Sequence, residues 1–167
     1  PLVGGGGMQV FQAEMPGPSK DRLTPRIAAT DKLLWGIYVL LTGIETVLLR
    51  FGGLSWYDAL CHAFTTVSTG GFSTRNASIG AYDSLYVEAV VTVFMFLGGV
   101  NFALHFRALR GDLGRYFRDA EYRYYLGLWL AVCLILALIL RVAGSAPSVG
   151  SALRQAFFSG TSILTTT

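Results

Sequence analysis

Residues Trp56 to Thr74 read WYDALCHAFTTVSTGGFST, a short amphipathic run that breaks at a hydroxyl and glycine cluster. Leu60, Ala63, Phe64 and Val67 recur at helical spacing, which predicts a helix from Trp56 to Val67, roughly 18 Å long at 1.5 Å per residue. Crossing a bilayer takes about 20 residues, so this helix is too short to do so. It stops at Ser68-Thr69-Gly70-Gly71, between two long apolar segments. A chain that enters a membrane, halts and returns leaves backbone groups unpaired, which is tolerated only where they line a watery cavity or are buried in protein. Gly70 and Gly71 permit positive φ and place no side chain before an approaching ion. The carbonyls of a strand-like Ser68-Thr69-Gly70-Gly71 can replace the water around a dehydrated cation. The negative C-terminal end of the preceding helix dipole favours a cation at the same point. The competing reading is an ordinary extracellular turn, and the rest of the chain decides between them.

Only 14% of the residues are charged and 53% are hydrophobic, against about 25% charged in soluble domains, so the chain has a membrane protein's balance. The net charge of +3 is small and its basic residues sit beside apolar segments. No basic stripe with interleaved aromatics stands clear of them, which excludes nucleic acid as an expected partner. Cys61 and Cys133 lie in apolar surroundings without CxxC or His spacing and read as packing residues. The chain opens at Pro1-Leu2-Val3-Gly4 and closes at Thr165-Thr166-Thr167, and a fragment of a longer protein is expected.

Outward from the central stretch, Leu33 to Leu49 forms a first span between Lys32 and Arg50, interrupted by Glu45. An ionisable group at that depth faces protein or a water cavity: hydrogen bonding to a neighbouring helix or help in holding a cation are both open. Ser84 to Phe106 forms a second span with Gly98 and Gly99 inside it, residues that permit close helix approach or a kink. Tyr124 to Leu140 forms a third. The glycine run Gly4 to Gly7 lacks the Gly-Lys-Ser/Thr of a phosphate cradle, so residues 1–31 read as a cytoplasmic connector. His62 with Ser68 or Ser73 suggests a nucleophile and base, but no acid is placed to orient the histidine and no nucleophile elbow surrounds either serine.

Lys20, Arg22, Arg26 and Lys32, with Arg107, Arg110, Arg115, Arg118 and Arg123, set nine basic residues on one side against four on the other: Arg50, Arg75, Arg141 and Arg154. The positive-inside rule then puts the connectors, including the arginine-rich 111–123, in the cytoplasm and the glycine loop outside. After the third span the pattern begins again. Ser151 to Thr167 reads SALRQAFFSGTSILTTT, and a shift of 97 positions lays Ser68-Thr69 on Thr165-Thr166. Identities are few, but the order of span, short apolar helix and hydroxyl-rich end repeats.

Four segments carry a resemblance: HAFTTVSTGGFSTRNAS at 62–78, NFALHFRALR at 101–110, GGMQVFQAEMPGPSKDRLTPRIAAT at 6–30 and the closing TSILTTT. Together they resemble the Trk/Ktr family of potassium uptake proteins, in its TrkH-type pore subunit. The resemblance implies an all-α integral membrane fold of repeated helix, pore loop and helix units around a central pore. Residues 32–110 would be the second unit, with pore helix 56–67 and filter 68–72. Residues 124–167 would begin the third, with pore helix 151–164 and filter start 165–167. The filter residues implied are Ser68, Thr69, Gly70, Gly71, Thr165, Thr166 and Thr167, holding potassium, with no organic cofactor. The implied setting is the bacterial inner membrane, with a homodimer, a nucleotide-binding TrkA-like regulatory subunit and lipid as partners. The expected function is potassium uptake, not enzymatic; a non-conducting scaffold or sensor and an intramembrane hydrolase are the alternatives.

Overall fold

The computed structural model describes residues 27–167, with side chains from Lys32 onward. The glycine run and Lys20, Arg22 and Arg26 of the expected connector lie outside the described residues. Helix α1, Ile27–Phe51, begins before the apolar segment that marks it in sequence, because helical hydrogen bonding continues past the last apolar side chain. Its inward row carries Ile37, Thr42, Glu45, Thr46 and Leu49, whereas Trp35, Val39, Leu40, Ile44 and Val47 face outward.

Helix α2, Trp56–Val67, is the short helix expected from the spacing. Ser55 caps it, its hydroxyl oxygen accepting from the Asp58 amide at 3.0 Å, and Asp58 places a negative charge at the positive end of the helix dipole. After the turn at its end, a 3-10 segment, Ser78–Tyr82, returns the chain to α3, Leu85–Gly98. Leu49, Leu54, Ala59, Ile79, Val87, Val91 and Met95 form one apolar cluster, so α2 is wedged between α1 and α3 with the return segment closed over it.

The second span departs from the single helix expected over 84–106. Helix α3 stops at Gly98, and a new helix α4, Phe102–Leu109, leaves at 103° to it. Asn101 caps α4 by accepting from the Ala103 amide at 3.0 Å. His105 spans the break: its Nε2 donates to the Leu97 carbonyl at 2.9 Å and its Nδ1 meets the Tyr116 hydroxyl at 2.6 Å. Tyr116 belongs to α5, Gly114–Arg118, a single turn inside the arginine connector.

Helix α6, Ala120–Val142, is capped by Asp119 and leaves Leu128, Leu134, Ile135, Leu138 and Ile139 exposed, a face suited to lipid. Helix α7, Val149–Thr165, starts in a reciprocal Ser148 and Ser151 capping box and packs along α6 and α3. Trp129 donates to the Thr161 hydroxyl at 2.8 Å, and Gly160 lets α7 close onto Cys133. Lys32–Phe51 and Ala120–Val142 are long and apolar enough to cross a membrane, and the bent pair α3 and α4 makes a third crossing if counted as one.

Candidate functional site

The two short helices end in turns of one geometry. At the end of α2 the Ser68 amide donates to Phe64 O at 3.1 Å, Thr69 to Thr66 O at 3.0 Å, and Gly70 and Gly71 to Thr65 O at 2.7 and 3.3 Å. Thr69 sits in the left-handed region at φ 53° and Gly71 at φ 69°. This corrects the strand-like expectation for Ser68 to Gly71. In a strand successive amides alternate, whereas here four in a row turn back to satisfy the orphan carbonyls of the helix end.

The consequence lies in the oxygens. A trans peptide sets each carbonyl opposite the following amide, so the carbonyls of Val67, Ser68, Thr69 and Gly70 point away from α2. The Thr65 hydroxyl fixes the exit by donating to Phe72 O at 2.8 Å.

The second turn repeats this 97 positions on. The Thr167 amide donates to Ser162 O at 3.0 Å, as Gly70 does to Thr65 O, and Thr166 holds φ 60° where Thr69 holds 53°. The Ser162 hydroxyl donates to Thr167 O. Thr165 is the last residue of α7, buried, its hydroxyl donating to Thr161 O at 2.9 Å, so the helix runs one residue further than expected.

The turns meet. A Cβ placed on Gly71 would lie 2.6 Å from the Thr167 carbonyl carbon, an approach open to glycine alone. Behind them sits the bend of the second span. A Cβ on Gly98 would stand 3.1 Å from Val67 O, and one on Gly99 3.0 Å from Thr165 Cγ2. Ser68, Gly70, Gly71 and Thr166 are exposed and Thr69 and Thr167 half-buried, so of the sequence-selected residues only Thr165 is enclosed.

The limb leaving the first turn is clamped to the start of α2. Asp58 accepts from the Thr74 hydroxyl at 2.5 Å, from Ser55 at 2.9 Å and from Arg75 at 3.0 Å. These bonds, Thr74 foremost, hold its carboxyl down at about 2. His62 Nδ1 donates to Asp58 O at 2.6 Å, since a carbonyl only accepts, and Nε2 meets Ser73 Oγ at 2.9 Å. The histidine is thus oriented by a backbone oxygen rather than a carboxylate, and with Asp58 it straps residues 73–75 to the helix. Sequence reading missed this clamp, although Asp58 and Arg75 were visible as opposite charges flanking the turn. Among the described residues no cluster of His, Cys, Asp or Glu is placed to ligate a metal.

The sequence profile of TrkH, a cation transport protein, matches residues 1–166. The chain belongs to the TrkH family. It is 44% identical, over 99% of its length, to the Trk system potassium uptake proteins TrkH of Salmonella typhimurium and of Escherichia coli K12, covering 35% of each. It is 40% identical to the TrkG protein of Escherichia coli K12. The crystal structure of the potassium transporter TrkH from Vibrio parahaemolyticus superposes with a TM-score of 0.79 at 37% identity, over 84% of this chain and 31% of that one. The chain therefore spans about a third of the length of its TrkH relatives and has the all-helical pore-loop fold of this family of membrane transporters. The relatives' names place them in a Trk system, that is, among further components.

Proposed function

We propose that this chain is the middle portion of a potassium uptake pore, in which residues 32–110 form one helix, loop and helix unit and residues 124–167 begin the next. Ser68, Thr69, Gly70 and Gly71, together with Thr165, Thr166 and Thr167, form two adjoining walls of the filter. The observation that carries this reading is the recurrence of one left-handed turn at Thr69 and Thr166, with Gly71 against Thr167. Carbonyls directed off the helix ends supply the oxygens that replace an ion's water.

Apart from the enclosed Thr165, the site residues reach the surface of the chain, where the remaining units of a closed pore would stand. Such short filters support preference for potassium over sodium with less stringency than a longer carbonyl ladder. An inside-negative potential of about 150 mV supplies roughly 3.5 kcal/mol per charge, enough for an accumulation of a few hundred-fold without a coupling ion. In the full-length protein we place the site in the bacterial inner membrane as part of a homodimer. A TrkA-like nucleotide-binding subunit and anionic lipid are the partners suited to the cytoplasmic arginines 107–123.

Replacement of Gly70 by Val in the full-length protein tests the reading. Rubidium uptake is expected to fall at least tenfold with normal membrane insertion; uptake at the wild-type level would remove the pore.

A further inference from the structure

The break between α3 and α4 places a helix end within the second span, and the last carbonyls of a helix lack donors of their own, a lack that lipid does not make good. Two carbonyls at the end of α3 are met by side chains from other elements. Phe96 O accepts from the Tyr125 hydroxyl of α6 at 3.2 Å, and Leu97 O accepts from His105 Nε2 of α4 at 2.9 Å.

His105 is buried and is aimed from its other side. Because Nε2 donates to a carbonyl, the neutral ring leaves Nδ1 as an acceptor, and the Tyr116 hydroxyl of α5 donates to it at 2.6 Å. Tyr116 packs edge-on against Tyr122 at the start of α6, their ring centroids 4.9 Å apart. The imidazole is therefore oriented by the connector and spends its one N–H on the end of α3.

The backbone it holds stands directly behind the candidate ion path. Leu97 precedes Gly98, where a Cβ would lie 3.1 Å from Val67 O and 3.5 Å from both Thr66 O and Thr69 Cγ2. At the next residue, Gly99, a Cβ would lie 3.0 Å from Thr165 Cγ2. The bend thus touches the last residues of α2 and of α7 together, and a shift of the bend toward either would displace the oxygens of that turn.

We infer that His105 is a positioning residue for the ion path: by holding Leu97 O from α4 it fixes the Gly98-Gly99 bend against Val67 O and Thr165, and so keeps the two turns aligned. The inference rests on the proposed pore and requires a hydrogen-bond donor at the place of Nε2.

The test uses the full-length protein in vesicles, with the preference for rubidium over sodium measured per inserted molecule. Loss of a merely structural residue would reduce the uptake of both ions alike and leave their ratio unchanged. His105→Gln carries an amide N–H to the place of Nε2 and is expected to stay within about twofold of the wild-type preference. His105→Asn is too short to reach Leu97 O, and His105→Phe keeps the ring without a donor. Both are expected to lower the preference about fivefold or more, the lower end of what an unsatisfied buried carbonyl costs. A wild-type ratio in whichever of the Asn and Phe variants inserts overturns the inference, as does a Gln variant as impaired as the Asn one. If neither inserts, His105 serves folding alone and the inference falls. If Gly70→Val abolishes uptake while the ratio is unmoved at position 105, only the tie is lost; if Gly70→Val is silent, the pore reading falls and the tie with it.

Discussion

Asp58 shows how one side chain can hold a loop that carries no regular structure. Its carboxylate collects Thr74, Ser55 and Arg75 at the start of α2, so the limb leaving the turn is tied down 16 and 17 residues away from the group that ties it. A carboxyl held at about 2 in the folded chain, below its ordinary 3.8, stabilises the fold above its unfolded value. That contribution is lost as pH falls from about 4 through about 2. Protease nicking within residues 72–77 should therefore rise over that interval in wild type, while Asp58→Asn should be nicked more readily at neutral pH and show no such rise. Limited proteolysis of the purified protein against pH reads both. Thr69, at φ 53°, is held by its surroundings rather than by its own preference. A β-branched residue at positive φ is rare, and here it is held by the helix-end amides on either side.

Among the elements, α2 was legible because its signals are local: Leu60, Ala63, Phe64 and Val67 at helical spacing, and a hydroxyl and glycine stop. The turn that follows was legible as a turn but not as left-handed, because nothing in a Ser-Thr pair announces positive φ. The break between α3 and α4 was hidden within a continuous apolar run. Gly98 and Gly99 signalled close approach or a kink, but the surfaces they approach, Val67 O and Thr165 Cγ2, belong to elements about 30 and 66 residues away in the chain. The seven candidate residues fell where the two turns meet for the same reason that α2 was readable. The Asp58 clamp and the His105 tie across the bend depend on long-range contacts and were not. Gly98→Leu is expected to destabilise the protein by about 1–3 kcal/mol, the range for overpacking a close contact. Gly43→Leu, at a glycine with nothing within 4 Å, should be near neutral. Thermal unfolding of the two variants in nanodiscs separates them.

For the whole molecule, α3 is the part shared by both turns, since its C-terminal end abuts α2 and α7 together. Its other end is joined to α7 by the Glu88 and Arg154 ion pair, whose side chains are 20% and 42% exposed. Such partly solvated pairs contribute up to about 1 kcal/mol. Arg154→Glu should lower stability by about that much, and the exchange Glu88→Arg with Arg154→Glu should recover most of it in a double-mutant cycle of unfolding midpoints. The two long helices bury different side chains: α1 encloses the polar row Thr42, Glu45 and Thr46 against its neighbours, whereas α6 buries Cys133 and Ala137 and leaves a broad apolar face suited to lipid.

The contact between Gly71 and Thr167 also carries a timetable. The two residues are 167 − 71 = 96 positions apart. At a synthesis rate of about 5–20 residues per second, the earlier loop waits roughly 5 to 20 s for its neighbour to be made. During that interval the surface that Gly71 packs against has not been made, and the ribosome's pace sets how long it is missing.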